Sequence, residues 1–145
     1  MIRILVTPDP IDVATELARV EVEGAGGIAS FIGRVRADDG VSTLELEHYP
    51  GMTEAALEAV ARTAAARWSL EAVTIVHRVG PMGPGERIVL VATAAAHRQP
   101  ALDACAYCID RLKTDAPFWK REVTPEGTRW VEARAADAQR ATDWA

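Results

Sequence analysis

The sequence predicts an α+β fold with a mostly antiparallel sheet and three helices. Three observations favour it: helical segments alternate with pairs of β-rich segments, loops of hairpin length separate the members of each pair, and glycine and proline are concentrated in those loops. A doubly wound parallel sheet would instead alternate single strands with helices. The pattern predicts the element order β-α-β-β-α-β-β-α-β-β.

Seven strands are predicted from β-branched runs and from alternation of apolar and polar residues. The segment TLELEHY at 43–49 alternates most cleanly, with Leu44 and Leu46 facing one way and Glu45 facing the other. The loop GPMGPG at 80–85 is expected to lack regular structure because of its glycines and prolines. The predicted strands cover residues 2–6, 28–36, 43–49, 72–79, 86–96, 118–123 and 128–133.

Three helices are predicted from apolar residues at helical spacing and from N-terminal cap or proline signals. They run from Asp9-Pro10 to about Glu21, from Thr53 to Trp68, and from near Gln99-Pro100 to Pro117. The glycine-rich stretch at 24–27 precedes a strand instead of opening a helix, so we interpret it as a turn and not as a phosphate loop. Residues from about 134 to 145 are expected to form a surface helix or a frayed tail.

Composition limits the classes of function. A chain of 145 residues with 26% charged residues is expected to form one globular domain over 1–145. Its net charge of −5 argues against general binding to nucleic acid or to anionic membranes, and no apolar run is long enough to span a bilayer. Only two cysteines are present, which favours a reducing, cytoplasmic setting.

Cys105 and Cys108 have the spacing of a thioredoxin-type redox pair. Both fall in the middle of a predicted helix, on the apolar stripe with Leu102 and Leu112, whereas a reactive pair of that type lies at a helix N-terminus. We therefore expect inert core thiols. The three histidines are scattered and no second pair of ligands accompanies the cysteines, so no metal site and no cofactor is expected.

Two His-Arg pairs occur, and the predicted hairpin separates them. His97-Arg98 immediately precedes the third helix, whose free N–H groups favour an anion, and arginine adds bidentate recognition of phosphate or carboxylate. His77-Arg78 lies at the other end of the strand pair and is interpreted as a solvated strand end. Arg34 and Arg36 alternate with Val35 at the end of a strand, so both are expected to point to one face, and a solvated sheet rim is the ordinary alternative.

The sixteen basic residues include only two lysines, Lys113 and Lys120. Arginine stays protonated at any accessible pH, whereas a lysine that is buried or close to another cation can lose its proton. The two lysines are therefore either present by chance in an arginine-rich chain or needed as amines that can titrate. Segment 95–121 holds five basic and three acidic residues, so its net charge is +2, whereas the whole chain has a net charge of −5. A locally cationic segment in an acidic protein favours a small anionic ligand.

The stretch LKTDAPFWKRE at 112–122 is the most informative. Lys113 falls in the last turn of the third helix, Pro117 ends that helix, and Lys120 lies in the strand that follows. The reversal lets the two amines converge, and two close ammonium groups lower each other's pKa, which suits one of them to proton transfer. Ordinary alternatives are a helix C-terminal cation for Lys113 and an exposed strand residue for Lys120.

Taken together, the motifs resemble the large, catalytic subunit family of molybdopterin synthase. The matching pieces span most of the chain, and they are FIGRVR (31–36), LELEHYPGM (44–52), HRVG (77–80), AHR (96–98), LKTDAPFWKRE (112–122) and EGTRWVEA (126–133). Arg34 stands where a lysine is frequent in the family, a change that keeps the charge.

The resemblance implies an α/β-hammerhead-like fold and a homodimer that binds two small ubiquitin-like sulfur carriers, forming a heterotetramer. The carrier's Gly-Gly tail, ending in a thiocarboxylate, would donate two sulfurs to cyclic pyranopterin monophosphate and so form molybdopterin. Lys113 and Lys120 would be catalytic. The implied substrate-binding residues are Arg34, Val35, Arg36, His97, Arg98, Lys113, Lys120, Arg121 and Glu122.

Two other classes of function stay open from the residues alone. One is a non-catalytic module that docks the carrier or binds an anion, and the other is a thiol redox protein. Product formation from purified components separates the first from the enzyme, and thiol titration of Cys105 and Cys108 tests the second.

Overall fold

The computed structural model describes residues 1–36, 40–131 and 135–144. In this part of the chain eight strands and four helices follow one another. The strands are β1 (Ile2–Thr7), β2 (Gly27–Arg34), β3 (Thr43–His48), β4 (Ala72–Arg78), β5 (Gly80–Met82), β6 (Arg87–Ala95), β7 (Phe118–Thr124) and β8 (Gly127–Val131). The helices are α1 (Val13–Arg19), α2 (Met52–Trp68), α3 (Arg98–Asp115) and α4 (Ala135–Thr142).

The strands form two four-stranded sheets. The first has the order β1-β4-β6-β2, and the second has the order β5-β3-β7-β8. Among the described strands one pair, β1 with β4, is parallel, and the other pairs are antiparallel. The predicted α+β class with a mostly antiparallel arrangement is therefore confirmed.

The main core lies between the first sheet and the helices α2 and α3. Leu57 of α2, Ile75 of β4, Val91 of β6 and Cys108 of α3 belong to one cluster of buried residues. Smaller clusters cover the opposite face of the same sheet, where Val20 packs near Ala92. Because both faces are covered, every residue of β4 is buried.

The predicted pairing of the second and third strands is wrong. β2 pairs with β6 in the first sheet, whereas β3 pairs with β5 and β7 in the second. An alternating pattern identifies a strand and its buried face but not its partner, so the short loop between the two segments suggested a hairpin that does not form.

The loop at 80–85 contains a strand that was not expected. Gly80, Pro81 and Met82 pair with Leu46, Glu45 and Leu44 as the edge strand β5. An edge position tolerates proline, because the missing N–H would face away from the sheet.

One helix boundary and the C-terminal segment differ in part from expectation. Helix α1 begins at Val13 and not at Asp9-Pro10, because Asp12 is the N-cap and its side chain accepts a hydrogen bond from the Thr15 amide. The three predicted helices are present, and the tail forms the helix that was one of its two expected alternatives. The C-terminal segment forms α4, and Ala141 is buried against the rest of the chain.

The end of this segment is attached to the core and is not frayed. Trp144 packs edge-to-face on Trp68 and Tyr107, and its indole donates a hydrogen bond to Asp110 of α3. Arg67 lies over the Trp68 ring, with its guanidinium carbon 4.7 Å from the ring centroid. In the described part of the chain, no helix is long and apolar enough to cross a membrane.

We predict that Leu57→Ala lowers the free energy of unfolding by about 2 to 5 kcal/mol, because it leaves a cavity under α2. Leu57 is fully buried, whereas Leu102 on α3 is 53% exposed. The matched change Leu102→Ala is therefore expected to alter stability by roughly 0.5 kcal/mol or less. Urea denaturation of both variants checks the difference, and equal losses would contradict the described core.

Candidate active site

The reversal between α3 and β7 brings the two lysines to one end of the fold. Helix α3 ends at Asp115, and the next residue, Ala116, has an extended backbone while its amide still bonds the carbonyl of Leu112. Pro117 cannot continue the helical hydrogen bonds, and β7 begins directly after it. Lys113 in the last helical turn and Lys120 in β7 are both partly buried.

A buried histidine lies where these elements meet. His77, near the end of β4, is 3% exposed and stacks on Phe118, with ring centroids 3.9 Å apart and an interplanar angle of 23°. Its Nδ1 lies 2.8 Å from the carbonyl oxygen of Arg78. A carbonyl only accepts, so Nδ1 carries the hydrogen and Nε2 presents a lone pair.

The pKa of His77 is lowered by its burial and by the charges of both lysines. Burial is the main cause that lowers the pKa of His77 from 6.5 to about 3. The charges of Lys113, Lys120 and His48 lower it further, while the bond to the Arg78 carbonyl raises it. The charges of both amines thus act on the same buried ring, and the convergence of the two lysines stays a prediction.

The expectation that His77-Arg78 is a solvated strand end is wrong. Arg78 is only 8% exposed, and its guanidinium donates to Glu86 at 2.9 Å and to the carbonyl of Pro8 at 3.3 Å. Sequence reasoning missed His77 as a site residue. Its place inside the continuous β-branched run AVTIVHRV is typical of a strand buried on both faces, and that signal could have identified it.

Lys120 and its two neighbours in β7 do not share one face. Side chains alternate along a strand, so Lys120 and Glu122 lie on one side of the second sheet and Arg121 on the other. Arg121 forms an ion pair with Glu45 at 2.7 Å, and this partner and its charge raise the pKa of Arg121. Glu122 is paired with Arg129 at 2.8 Å.

The segment 34–36 is joined to the second sheet. Val35 is 5% exposed and belongs to a buried cluster with Leu46, which is the direct partner of Lys120 in the sheet. The Arg34 guanidinium donates to the carbonyl of Gly85 at 3.0 Å. Arg34 and Arg36 are exposed on either side of Val35, as the predicted alternation requires.

His97 and Arg98 lie at the opposite end of α3. They are exposed at its N-terminus, and fifteen residues of helical rise separate Arg98 from Lys113, about 22 Å. Within one protomer, His97 and Arg98 therefore do not lie near the two lysines. The glycine stretch packs against the same helix start, since a Cβ on Gly27 would lie 3.0 Å from the Arg98 Cα.

The two cysteines lie in the core, as predicted. Cys105 and Cys108 are unpaired and buried within the main cluster. Burial raises the pKa of Cys105 to about 11 and that of Cys108 to about 12. Neither thiol has the lowered pKa of a redox nucleophile. Among the residues that the structure describes, no group of three or more His, Cys, Asp or Glu side chains is arranged to hold a metal ion.

Comparison with known proteins agrees with this fold. The family model "MoaE protein" matches residues 6–115. The molybdopterin synthase catalytic subunit of Salmonella typhimurium is 51% identical over 148 residues, covering 98% of this chain and 97% of that protein. The solved molybdopterin biosynthesis MoaE protein from Burkholderia ambifaria MC40-6 is 48% identical with a TM-score of 0.86, and the match covers 99% of this chain and 98% of that one.

A more distant structure shares the fold alone. It is a protein–protein complex of subunits 1 and 2 of the molybdopterin-converting factor from Helicobacter pylori 26695, 20% identical with a TM-score of 0.76 over 92% of this chain and 91% of that one. The fold and the closer relatives define an enzyme subunit of molybdenum cofactor biosynthesis, of the molybdopterin synthase type. The chain belongs to the MoaE protein family, which confirms the resemblance drawn from its motifs.

We predict that His77 makes the fold acid-sensitive. The native pKa of about 3 lies below the ordinary 6.5, so below pH 6.5 the unfolded chain binds a proton that the native chain excludes. Stability from this group is present above pH 6.5 and falls by roughly 1.4 kcal/mol per pH unit on the way down to pH 3. Urea titrations from pH 7.5 to 4 check this against His77→Phe, which should lose less stability over that range. Parallel curves for the parent and the variant would contradict it.

Proposed function

We propose that this chain catalyses the transfer of two sulfur atoms from the thiocarboxylated C-terminus of a small carrier protein to cyclic pyranopterin monophosphate. The observation that supports the proposal is the position of Lys113 and Lys120 on either side of the reversal between α3 and β7, where the charges of both act on buried His77. These are the two lysines of the chain, and every other fixed cation is an arginine.

The proposed work of the lysines follows from the charges of the reactants. Both the thiocarboxylate donor and the phosphate-bearing pterin are anions, so a cationic pocket stabilises each of them. The ammonium groups of Lys113 and Lys120 orient the thiocarboxylate and stabilise the oxyanion that develops during transfer. One of them also moves the proton, which a guanidinium cannot release at ordinary pH.

No protein thiol is needed in this scheme, because the sulfur arrives on the carrier. The raised pKa values of Cys105 and Cys108 support that assignment, since neither side chain is a thiolate at neutral pH. The opening of the cyclic phosphate generates further negative charge, and we assign its binding to Arg36 and Arg34, which border the second sheet.

We propose a small ubiquitin-like subunit with a Gly-Gly C-terminus as the protein partner. The two-subunit assembly named for the Helicobacter pylori relative supports a partner of this kind. Cytoplasmic localisation is part of the same proposal, because free thiols persist in that compartment.

We propose further that the active assembly is a homodimer with two carriers, and that each site combines residues of two protomers. His97 and Arg98 are suited to a phosphate but lie about 22 Å from Lys113 along α3. If they serve the same substrate as the lysines, a second copy must supply them. The residues expected for one site would then be complete only in the dimer.

Replacing either lysine tests the chemistry. We expect Lys113→Arg and Lys120→Arg to lower single-turnover sulfur transfer by at least about 100-fold, because the positive charge remains while proton transfer is lost. The assay uses the purified chain, thiocarboxylated carrier and cyclic pterin, with molybdopterin as the product measured.

Arg62→Lys supplies the reciprocal control. Arg62 is an exposed cation on α2, paired with Glu58 at 2.8 Å, and its change should leave the rate within about twofold of the parent. Full activity in both lysine variants would leave the proposal without its chemical basis.

Mixed dimers test the shared site. We expect the Arg98→Ala and Lys120→Ala variants to be nearly inactive alone. A refolded one-to-one mixture should regain measurable activity, because in each mixed dimer one of the two sites contains both wild-type groups. Size-exclusion chromatography establishes the dimer before the assay. If the mixture is no more active than either variant alone, Arg98 and Lys120 do not form one site across two protomers.

A further inference from the structure

His77 contacts the reversal that carries the lysines but has no position in the proposed chemistry. It lies on β4, in the first sheet, whereas Phe118 begins β7 in the second sheet. The ring stack of 3.9 Å is thus a contact between the two sheets, made directly after Pro117.

Several contacts hold the two rings in one orientation. The Nδ1–H bond to the Arg78 carbonyl, 2.8 Å long, defines the plane of the imidazole. Phe118 is held by its own amide, which donates to the Ala116 carbonyl at 2.9 Å, and by pairing with His48 of β3. Rotation of either ring would break a hydrogen bond or open a gap in a buried contact.

We propose that His77 is a positioning residue for the lysine pair: through its stack on Phe118 it sets the path of the chain from Lys113 to Lys120 and thereby the separation of the two amines. The inference rests on the proposed role of the lysines in sulfur transfer. His77 touches neither reactant in this assignment and acts through Phe118.

A neutral ring suits this position for an electrostatic reason. The charged or titratable groups that act on His77 are Lys113 from α3, Lys120 from β7 and His48 from β3. A cation at position 77 would repel the ammonium groups of both lysines, whereas the buried neutral imidazole does not. Its very low exposure keeps it neutral throughout the neutral pH range.

The presence of only two lysines permits a direct test in the folded protein. Labelling with [13Cε]-lysine yields two NMR signals, one from each amine-bearing carbon. We expect His77→Gln and Phe118→Leu to shift both signals, because each variant removes one ring of the stack. Phe118→Tyr keeps the ring and should leave both signals close to their parental positions.

Ile75→Val is the matched structural control. Ile75 is fully buried on β4, two residues before His77 and on the same side of the strand, and its truncation removes one methylene from the core. It should destabilise the protein without moving either lysine signal. Circular dichroism shows whether each variant is folded. If His77→Gln does not fold, Phe118→Leu alone tests whether loss of the ring stack moves the lysine signals.

Single-turnover sulfur transfer completes the test. We expect the rate to fall roughly tenfold or more in His77→Gln and Phe118→Leu, with the apparent affinity for the carrier unchanged. Phe118→Tyr and Ile75→Val should stay within about twofold of the parent. Unmoved lysine signals in both folded ring variants, or shifted signals with an undiminished rate, would overturn the proposal.

The NMR measurement needs no substrate, so it separates this inference from the proposed function. If the lysine-to-arginine variants keep full activity, the proposed function fails, yet the two carbon signals still report whether His77 positions the amines. If the lysines prove essential and the signals do not respond to the ring variants, the positioning role alone is wrong.

Discussion

The change from helix to strand at Pro117 is the constraint on which the site depends. A single helix could not turn the amines of Lys113 and Lys120 toward one point, because seven helical residues would separate them by about 10 Å of rise. Proline removes the next helical hydrogen bond and its ring excludes helical geometry from Ala116. Two residues, Ala116 and Pro117, separate the end of α3 from the start of β7, so Lys113 and Lys120 lie on either side of a short reversal.

The two sheets contribute differently to this arrangement. In the first sheet every residue of β4 is buried, and His77 lies near the end of that strand. The second sheet is more exposed and carries Lys120 beside Leu46, which packs on Val35 and Met82. The stack of His77 on Phe118 joins them. Lys120, the group proposed to be catalytic, therefore lies in a sheet that is joined to the buried strand β4, which favours fixed geometry over mobility.

Much of the fold was predictable from periodicity and local chemistry, and the misses have a common cause. Every predicted strand and helix exists, because burial of one face leaves a period in the sequence. Pairing does not leave such a mark, so β2 and β3 were wrongly joined. The short edge strand β5 was missed because its glycine and proline are atypical of strands, and its pairing with β3 overrides that preference.

The sequence by itself determined which residues are chemically distinctive: two lysines among many arginines, a proline between them, and a His-Arg pair before a helix. Those facts depend on residue type and near neighbours along the chain. Tertiary structure alone decided the burial of His77 and Arg78, the turning of Arg121 to the face opposite Lys120, and the distance of His97 and Arg98 from the lysines. Each of these depends on which strands pair and where a helix points, and contacts between residues far apart in sequence set both.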